Sequence, residues 1–455
     1  MIMAEKAFKG IDFIHFGRNG KVLLMLFYAF LFSGFSQAQI DTIYADPLKY
    51  KGPVIPRTPL VKHIDDEQKD LMDYVRLALS KNKKLEHKIF KEDTVPKTDS
   101  AVLHKSGKLH TSLLPGAGYT LQTRFAGVIA ANGAFYTDND EHSNLSVVNA
   151  FFCYTQNKQI ILPIQSNIWT KGNKFNLMGD WRFYAYPQYT YGLGGHTTSD
   201  DADLLNYKYI TIHQTVSRSI GHDWLVGLGY NLDYHWNIQE AGIAGETTDF
   251  QTYNKATQPK YPNLTSVSTG PSLNVLFDNR RNPIYPLRGS YLNVVYRPNF
   301  MFMGSNLNWQ SLLVDYRKYF KVPGYKNSVL AFWTYAWLTL DGNPPYLDLP
   351  STAWDTYSNI GRGYIQSRFR GRNLLYAESE YRFVMTRNGL FGGVVFVNAQ
   401  SVSEWPGNNF NIVLPGAGLG IRVKVNKHSN TNVAIDYGWG TGGSGGLFIN
   451  LGEVF

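Results

Sequence analysis

A repeating pattern of strand, turn and strand extends from about residue 112 to Phe455. Most of the runs are ten residues or longer, and polar residues interrupt the apolar ones at alternate positions. A period of two places apolar and polar side chains on opposite faces of a strand. Strands of this length with one apolar face are typical of barrels that contact lipid outside and water inside.

The run "LLVDYRK" illustrates the pattern. Leu312, Val314 and Tyr316 are predicted to lie on the outer face of the strand, while Asp315 and Arg317 lie on the inner face. Fifteen runs of this kind are evident, and dividing residues 114–136 into two strands gives sixteen, an even number that suits a membrane barrel. We therefore predict an all-β fold, a transmembrane antiparallel β-barrel of about 16 strands that occupies residues 112–455.

The competing fold is a secreted β-sandwich or propeller, which needs a dry core and no aromatic residues facing lipid. The length of the strands argues against it, and so does the aromatic residue at the end of the chain. The composition agrees, because aromatic residues reach 15% while charged residues make up only 17%, and 42 glycines suit many turns. We therefore favour the membrane barrel.

The first 38 residues are predicted to be a signal peptide. The segment "KVLLMLFYAFLFSGFSQAQ" places a basic residue before an apolar run that ends in small residues, Ser36 and Ala38, as cleaved secretory leaders do. The apolar run is shorter than the ~20 residues that a membrane-spanning helix needs. The mature protein is thus expected to be exported, and a closed barrel is the way in which it can enter a membrane.

Residues 39–111 differ in composition from the rest of the chain. They are rich in Lys, Asp, Glu and Pro, and one segment, residues 66–84, has apolar residues at helical spacing. We predict a periplasmic arm or plug segment with one short helix. Long connections at 237–263 and 342–371 alternate with short ones, which predicts that these two loops are external and that both termini lie at the other end.

No residue pattern indicates an enzyme, a metal site or a cofactor. The segment Gly442–Gly446 matches G-x-S-x-G, but it joins two strands, whereas a nucleophile elbow needs a strand-to-helix turn. Cys153 is the single cysteine, and the 11 histidines lack metal-ligand spacing. The net charge of +9 is spread along the chain, so no nucleic-acid partner is expected. We predict a non-enzymatic protein.

An arginine-rich segment, "GRGYIQSRFRG" at 361–371, immediately precedes a predicted strand, 374–383. Alternation places Glu378 and Glu380 on one face of that strand, and two buried carboxylates need a cation. Arg362 could supply it if the loop folds into the barrel. Alternatively, the loop arginines lie outside and contact lipid phosphates or water. The pattern alone is compatible with both arrangements; the arginines concerned are Arg362, Arg368, Arg370 and Arg372.

Four segments together resemble the BamA/TamA family of outer-membrane proteins, also called bacterial surface antigens. They are "GRGYIQSRFRG", "FDNRRNPIYPLRGSYLNV" (277–294), "GAGLGIRVKVNKHSNTNVAIDYGWG" (416–440) and "FINLGEVF" (448–455). The arginine-glycine-tyrosine core of the family's inward-folded sixth loop corresponds to Arg362, Gly363 and Tyr364. The segments occur in the family's order, and the strand pattern extends the likeness back to about residue 112.

The resemblance implies a sixteen-strand outer-membrane barrel of the Gram-negative type, with the loop arginine bound to acids on the inner wall. Glu380 matches the family's glutamate. The aspartate expected on the next strand corresponds to Asn398, so the contact between the loop and the wall is expected either to be weaker or to use Glu378 as the other partner. The C-terminal signal that closes the barrel corresponds to Ile449, Leu451, Gly452 and Phe455, with the terminal aromatic ring expected on a strand face at the membrane interface.

The resemblance also implies a function in inserting or exporting outer-membrane or surface proteins, through a weak seam between strands at about 112–120 and 446–455. The expected partners are outer-membrane lipid and lipopolysaccharide, with client proteins or other subunits of an assembly complex. The chain differs from the family upstream, because residues 39–110 do not match its periplasmic POTRA domains. The alternatives are a structural or channel barrel, or an accessory subunit of an outer-membrane complex, without insertase activity.

Overall fold

A computed structural model describes residues 68–71, 73, 74, 77, 109–139, 143–243, 245–258, 265–280, 282–283, 285–325, 327–427 and 430–455. The predicted signal peptide and most of the predicted periplasmic arm lie outside these residues and stay predictions. The comparison of the arm with POTRA domains stays a prediction for the same reason. Within the described part of the chain, no helix is long and apolar enough to cross a bilayer.

Seventeen β-strands in one sheet make up most of the described chain. They are β1 (His110–Thr120), β2 (Arg124–Phe135), β3 (Ser146–Thr155), β4 (Ile160–Trp169), β5 (Phe175–Ala185), β6 (Gln188–Thr190), β7 (Asp203–Gly221), β8 (Trp224–Glu240), β9 (Thr265–Asp278), β10 (Gly289–Asn299), β11 (Trp309–Lys321), β12 (Val329–Gly342), β13 (Asn373–Val384), β14 (Phe391–Val402), β15 (Leu414–Asn426), β16 (Thr431–Gly440) and β17 (Gly445–Leu451).

The strands occupy sixteen positions around a barrel. Each strand pairs antiparallel with the next, except that β5 and β6 both pair with β7, at residues 208–218 and 203–205 respectively. The three-residue strand β6 is therefore a continuation of the β5 position. The segment 114–136 divides into β1 and β2 around a short turn. The predicted all-β barrel of about 16 strands is confirmed.

The two faces of the sheet differ as the alternation predicts. In β11, Asp315 and Arg317 are buried inside the barrel and form an ion pair with each other, while Tyr316 is exposed on the outside. Other large apolar side chains are exposed on the same outer surface: Phe125, Ile129, Phe152, Tyr154, Leu228, Tyr230, Phe332, Val395, Val397, Leu419, Ile421 and Tyr437. The hydrophobic core therefore lies within the barrel, and apolar groups also cover its exterior.

The connection between β12 and β13, residues 343–372, folds into the barrel, and we call it the inner loop. Its residues Ile360, Tyr364 and Phe369 belong to one buried apolar cluster with Trp333 and Tyr376 of the wall. Because adjacent strands are antiparallel, the inner loop starts at the end of the barrel opposite to the start of β1 and the end of β17. We call these the loop end and the terminal end.

One helix covers the start of the inner loop at the loop end. Helix α1 (Asp249–Thr257) lies between β8 and β9, and the Thr248 hydroxyl caps it by accepting a hydrogen bond from the Gln251 amide at 3.2 Å. The rings of Phe250 and Tyr253 pack against Tyr346 of the inner loop, with centroids 5.0 and 5.9 Å away. This packing joins α1 to the inner loop at that end.

A second helical segment contacts the terminal end of the barrel. Residues 71, 73, 74 and 77 are helical and lie within the segment predicted to form a helix. The amide of Lys69 donates to the Asn388 carbonyl at 3.0 Å, and Lys427 Nζ lies 3.1 Å from Asp73 Oδ2. The segment is thus joined to two turns, those after β13 and β15.

Candidate functional site

The candidate site is the place where the arginine-glycine-tyrosine motif of the inner loop meets the wall. Asp355 shapes the approach to it, because its carboxylate accepts hydrogen bonds from the amides of Asn359 and Ile360 at 2.8 and 3.0 Å. Gly363 then adopts a φ of +109°, which L side chains rarely adopt, and a Cβ there would lie 2.8 Å from the Trp439 carbonyl carbon. Glycine therefore allows the loop backbone to lie directly against β16.

Arg362 lies inside the barrel, which is the inward of the two arrangements, and only 1% of its surface is exposed. Its Nη2 atom forms hydrogen bonds with Glu378 Oε1 and Glu380 Oε2 of β13. Its Nη1 atom donates to Asp436 Oδ2 of β16 at 2.7 Å. The guanidinium carbon also lies 3.6 Å from the centre of the Phe396 ring, a cation–π contact. One cation is thus shared by three carboxylates.

The other three loop arginines have different partners. Arg370 is buried, and its Nη1 donates to the Tyr346 carbonyl at 3.0 Å. Arg368 Nη2 donates to the Thr197 carbonyl and Arg372 Nη2 to the Gly342 carbonyl, both at 2.6 Å. These residues bind backbone carbonyls of the inner loop itself, of the loop that contains Thr197 and of the end of β12, and they do not contact the carboxylates that Arg362 binds.

Asn398 stands where the family is expected to have an aspartate, and Asp436 of another strand accounts for this difference. Asn398 Nδ2 donates to the Arg362 carbonyl at 3.0 Å, so this residue holds the loop backbone and supplies no charge. Sequence reasoning missed Asp436, which supplies the third wall carboxylate, from β16. A signal was present, since Asp436 is the one charged residue of its strand and alternates with the outward Ile435 and Tyr437.

Tyr364 completes the contact of the motif with the wall. Its hydroxyl donates to the Pro415 carbonyl at 2.6 Å and accepts from the Thr441 amide at 2.9 Å. Ser444 Oγ donates to the Gly363 carbonyl at 2.9 Å. Together, the three motif residues therefore contact β13, β14, β15, β16 and the turn between β16 and β17.

A larger group of buried charges surrounds Arg362, and we call it the charge network: Arg362, Arg382, Arg422, Glu378, Glu380, Asp436 and Glu453. Arg382 binds Glu380, and Arg422 joins Asp436 to Glu453, the latter at 2.7 Å. All seven residues are buried. Three positive charges thus face four negative ones, and such groups are tolerated in a dry interior only when each is paired and hydrogen-bonded.

The C-terminal residues depart from the sequence prediction. Strand β17 ends at Leu451, and Gly452 takes a φ of +93°, which turns the chain out of the sheet. Phe455 does not share a strand face with Ile449 at the membrane interface. It is 2% exposed inside the barrel, and its ring centroid lies 5.2 Å from that of Trp333. The prediction of an interfacial terminal aromatic was therefore wrong.

The reason for this inward turn is the charge of Glu453. The Glu453 carboxylate binds Arg422 and also accepts a hydrogen bond from Asn432 Nδ2 at 2.8 Å. These contacts hold the C-terminal residues beside the charge network inside the barrel. Ile449 remains in the sheet, opposite Ile435. The side chain of Leu451 lies outside the described side chains.

The two ends of the sheet meet without a ladder. Each consecutive pair of strands has a defined register, but among the described residues no backbone pairing joins β17 to β1. Instead, the side chain of Leu121, in the turn after β1, lies against Gly446 of β17. A cavity of about 260 Å³ lies behind this seam, and among its lining residues are Gln122, Tyr186, Trp354 and Leu447. We call this boundary the seam.

Within the described part of the chain, no group of three or more His, Cys, Asp or Glu side chains could hold a metal ion.

Comparisons with known families and structures agree with this fold. Residues 152–352 match the Omp85 superfamily domain. No curated protein matches the chain. Among solved structures, BamA from Haemophilus ducreyi lacking POTRA domains 1–3 superposes with a TM-score of 0.52 at 14% identity, over 76% of this chain and 70% of that one.

Two CdiB structures are also similar. CdiB from Acinetobacter baumannii has a TM-score of 0.47 at 13% identity, and CdiB from Escherichia coli has 0.47 at 10%. Each comparison covers 73% of this chain, and the match spans a little over half of the CdiB chains, 56% and 58%. The resemblance that the motifs indicate is confirmed: residues 152–352 match the Omp85 superfamily domain, and the barrel is similar in fold to BamA.

Proposed function

We propose that this protein is an outer-membrane barrel that aids the insertion or export of other proteins, and that it acts through the seam. The observation that carries the proposal is that, among the described residues, no ladder joins β1 to β17, whereas the other neighbouring strands of the sheet are paired in register. Unpaired strand edges are templates for another strand. A client strand can therefore pair with an edge of this barrel.

The exterior supports a membrane location. Large apolar and aromatic side chains cover the outer face of the strands, as a bilayer requires of a barrel. Together with the expected signal peptide and the Omp85 superfamily domain, this surface favours the outer membrane of a Gram-negative cell. Lipopolysaccharide and phospholipid are then its immediate surroundings.

The inner loop contacts the wall on both sides of the seam. On one side, Arg362 binds β13 and β16. On the other side, Gln366 Oε1 accepts hydrogen bonds from Tyr186 at 2.7 Å and from Gln188 of β6 at 3.1 Å. We infer that the loop keeps the two halves of the barrel in place while the seam opens.

A disulfide across the seam tests the proposal. A Cβ built at Gly446 lies 2.8 Å from Leu121 Cγ, so cysteines at both positions come near the Cβ separation of about 3.5–4.5 Å that a disulfide needs. In a strain that depends on the Leu121→Cys/Gly446→Cys variant, we expect levels of other outer-membrane barrels to fall under oxidising conditions. A reductant should restore them.

The two single-cysteine variants are the matched controls, because each carries one substitution without the cross-link. The native Cys153 is buried and lies in β3. If the cross-link forms fully and the levels of other barrel proteins stay unchanged, the seam is not where the protein acts. The accessory-subunit alternative is then favoured, and stable partners should co-purify from native membranes.

A further inference from the structure

One exposed apolar turn plays no part in the site described above. It is a 3-10 turn, Met301–Met303, between β10 and β11 at the loop end. Phe302 exposes 83% of its surface, more than any other large apolar side chain among the described residues, and Met301 exposes 53%. Clustered apolar groups of this kind on a surface usually mark a contact with a membrane or another molecule.

Hydrogen bonds hold the turn in one conformation. The Met301 amide donates to Asn308 Oδ1 at 2.7 Å, and the Phe300 amide donates to the Thr269 carbonyl at 3.0 Å. The rings of Phe300 and Phe302 stack with centroids 5.1 Å apart. The apolar tip is therefore a defined surface, and a partner need not order it on binding.

The turn lies over the outer face of the barrel. A Cβ on Gly304, the residue that ends the turn, would be 3.7 Å from Thr269 Cγ2. The Thr269 hydroxyl in turn bonds to Tyr230 at 2.8 Å, and Tyr230 is exposed on the outer face of β8. Further along that face, Tyr234 and Trp236 stack at 5.2 Å. Tyrosine and tryptophan in such positions are typical of the membrane interface.

The sequence around the turn carries no charge. Between Arg297 and Asp315, every residue is uncharged. Charged side chains are costly among acyl chains, whereas a loop that faces water or a polar partner has no reason to exclude them. The absence of charge, the position on the outer face and the adjoining aromatic residues identify one occupant, the lipid bilayer.

We propose that the turn from Phe300 to Met303 inserts among the lipid acyl chains of the leaflet at the loop end and anchors that side of the barrel. This inference does not depend on the proposed assembly function. It depends on the barrel lying in a bilayer, which the experiment tests separately.

The experiment uses a polarity-sensitive fluorophore on single cysteines in the full chain with Cys153→Ser, reconstituted into phosphatidylcholine vesicles with or without bromine on the acyl chains. The label is placed by Phe302→Cys, by Leu228→Cys on the outer face, or by Ser199→Cys in an exposed loop at the same end. At Phe302 we expect emission at shorter wavelength than at Ser199, and quenching by bromine as strong as at Leu228.

Each other result overturns the inference. Emission at Phe302 that resembles that at Ser199 means that the turn faces water. A shift to shorter wavelength without bromine quenching means that protein, such as a second copy, covers the turn. If Leu228 also escapes quenching, the membrane location fails together with the inference, whereas quenching at Leu228 alone removes only the inference.

Discussion

Arg362 Nη1 donates a hydrogen bond to Asp436 Oδ2 at 2.7 Å, which joins the inner loop to β16 although the two residues are 74 positions apart in the chain. The same guanidinium binds Glu378 and Glu380 on β13. A single side chain therefore ties the loop to strands that are three positions apart in the barrel.

Replacing Arg362 with alanine should destabilise the barrel by about 3–5 kcal/mol, because it leaves buried carboxylates without their cation. The measurement is urea unfolding in detergent micelles, supported by the temperature at which the folded band is lost on gels. Arg368→Ala is the matched control, since this residue of the same loop binds a backbone carbonyl, and it should have a smaller effect.

Glu380→Ala should also destabilise the barrel, and the double variant Arg362→Ala/Glu380→Ala should cost less than the sum of the two single variants. Residues in contact show such coupling, whereas distant residues add. Simple additivity would show that the two side chains do not act as a pair.

Asp436→Asn tests the carboxylate that the sequence motif did not indicate. It keeps the shape of the side chain but weakens its charge-assisted bonds with Arg362 and Arg422, so we expect a loss of about 1.5–3 kcal/mol in the free energy of unfolding. Asp341→Asn, at an exposed position near the end of β12, should change it by less than about 0.5 kcal/mol. Equal effects at the two positions would contradict the assigned role of Asp436.

Phe455→Ala should cost about 3–5 kcal/mol of unfolding free energy, because it leaves a cavity beside Trp333 and Tyr319. The control is Tyr325→Ala, an aromatic residue that is 64% exposed in the turn after β11. An interfacial ring at Phe455 would instead make stability depend strongly on the choice of lipid or detergent. A small loss that varies with the lipid would argue against the buried position.

Gly363→Ala should loosen the inner loop and raise ion conductance in planar bilayers. The substitution combines a positive φ, which costs about 1–3 kcal/mol for other residues, with a clash against the Trp439 backbone. Gly389→Ala is the control, because Gly389 also has a positive φ, of +71°, but a Cβ there meets nothing within 4 Å. If the wild type conducts as well as Gly363→Ala, the inner loop does not close the interior and a channel function is favoured.

Asp348 of the inner loop should make stability depend on pH. Burial, with Asp233 nearby, raises its pKa to about 7, so the folded state holds a proton that the unfolded chain releases near its ordinary pKa of 3.8. The contribution of Asp348 to stability therefore falls as pH rises from about 4 to 7 and is constant above that range. Relative to Asp348→Asn, the wild type should lose unfolding free energy between pH 5 and pH 8; parallel curves would contradict this.

Much of the barrel was predictable because alternation is a local signal. Tyr316 and Arg317 lie on the faces that the period of two assigns to them, whereas the local pattern left two positions open for Arg362 and only the family resemblance implied the inner one. The faces of the strand residues depend on residues near one another in sequence, and the environment of each strand repeats along the chain.

The features that were missed depend on distant parts of the chain. Asp436 contacts Arg362 because β16 lies three positions from β13, which the sequence of β16 alone does not show. Phe455 is inside because Glu453 binds Arg422 from β15, a contact that overrides the terminal strand pattern. Alternation indicates which face a residue takes, but the pairing of buried charges decides where a strand ends.

The contacts of the inner loop have a mechanical consequence. Near the start of the loop, Tyr346 packs against Phe250 of α1 and against Arg370. Further along the loop, Arg362 binds β13 and β16, and Gln366 binds β6. The loop thus connects separate parts of the barrel wall from the inside. Uniform widening of the barrel would have to break the buried ion pairs between this loop and the wall, whereas parting at the seam would break no backbone ladder among the described residues.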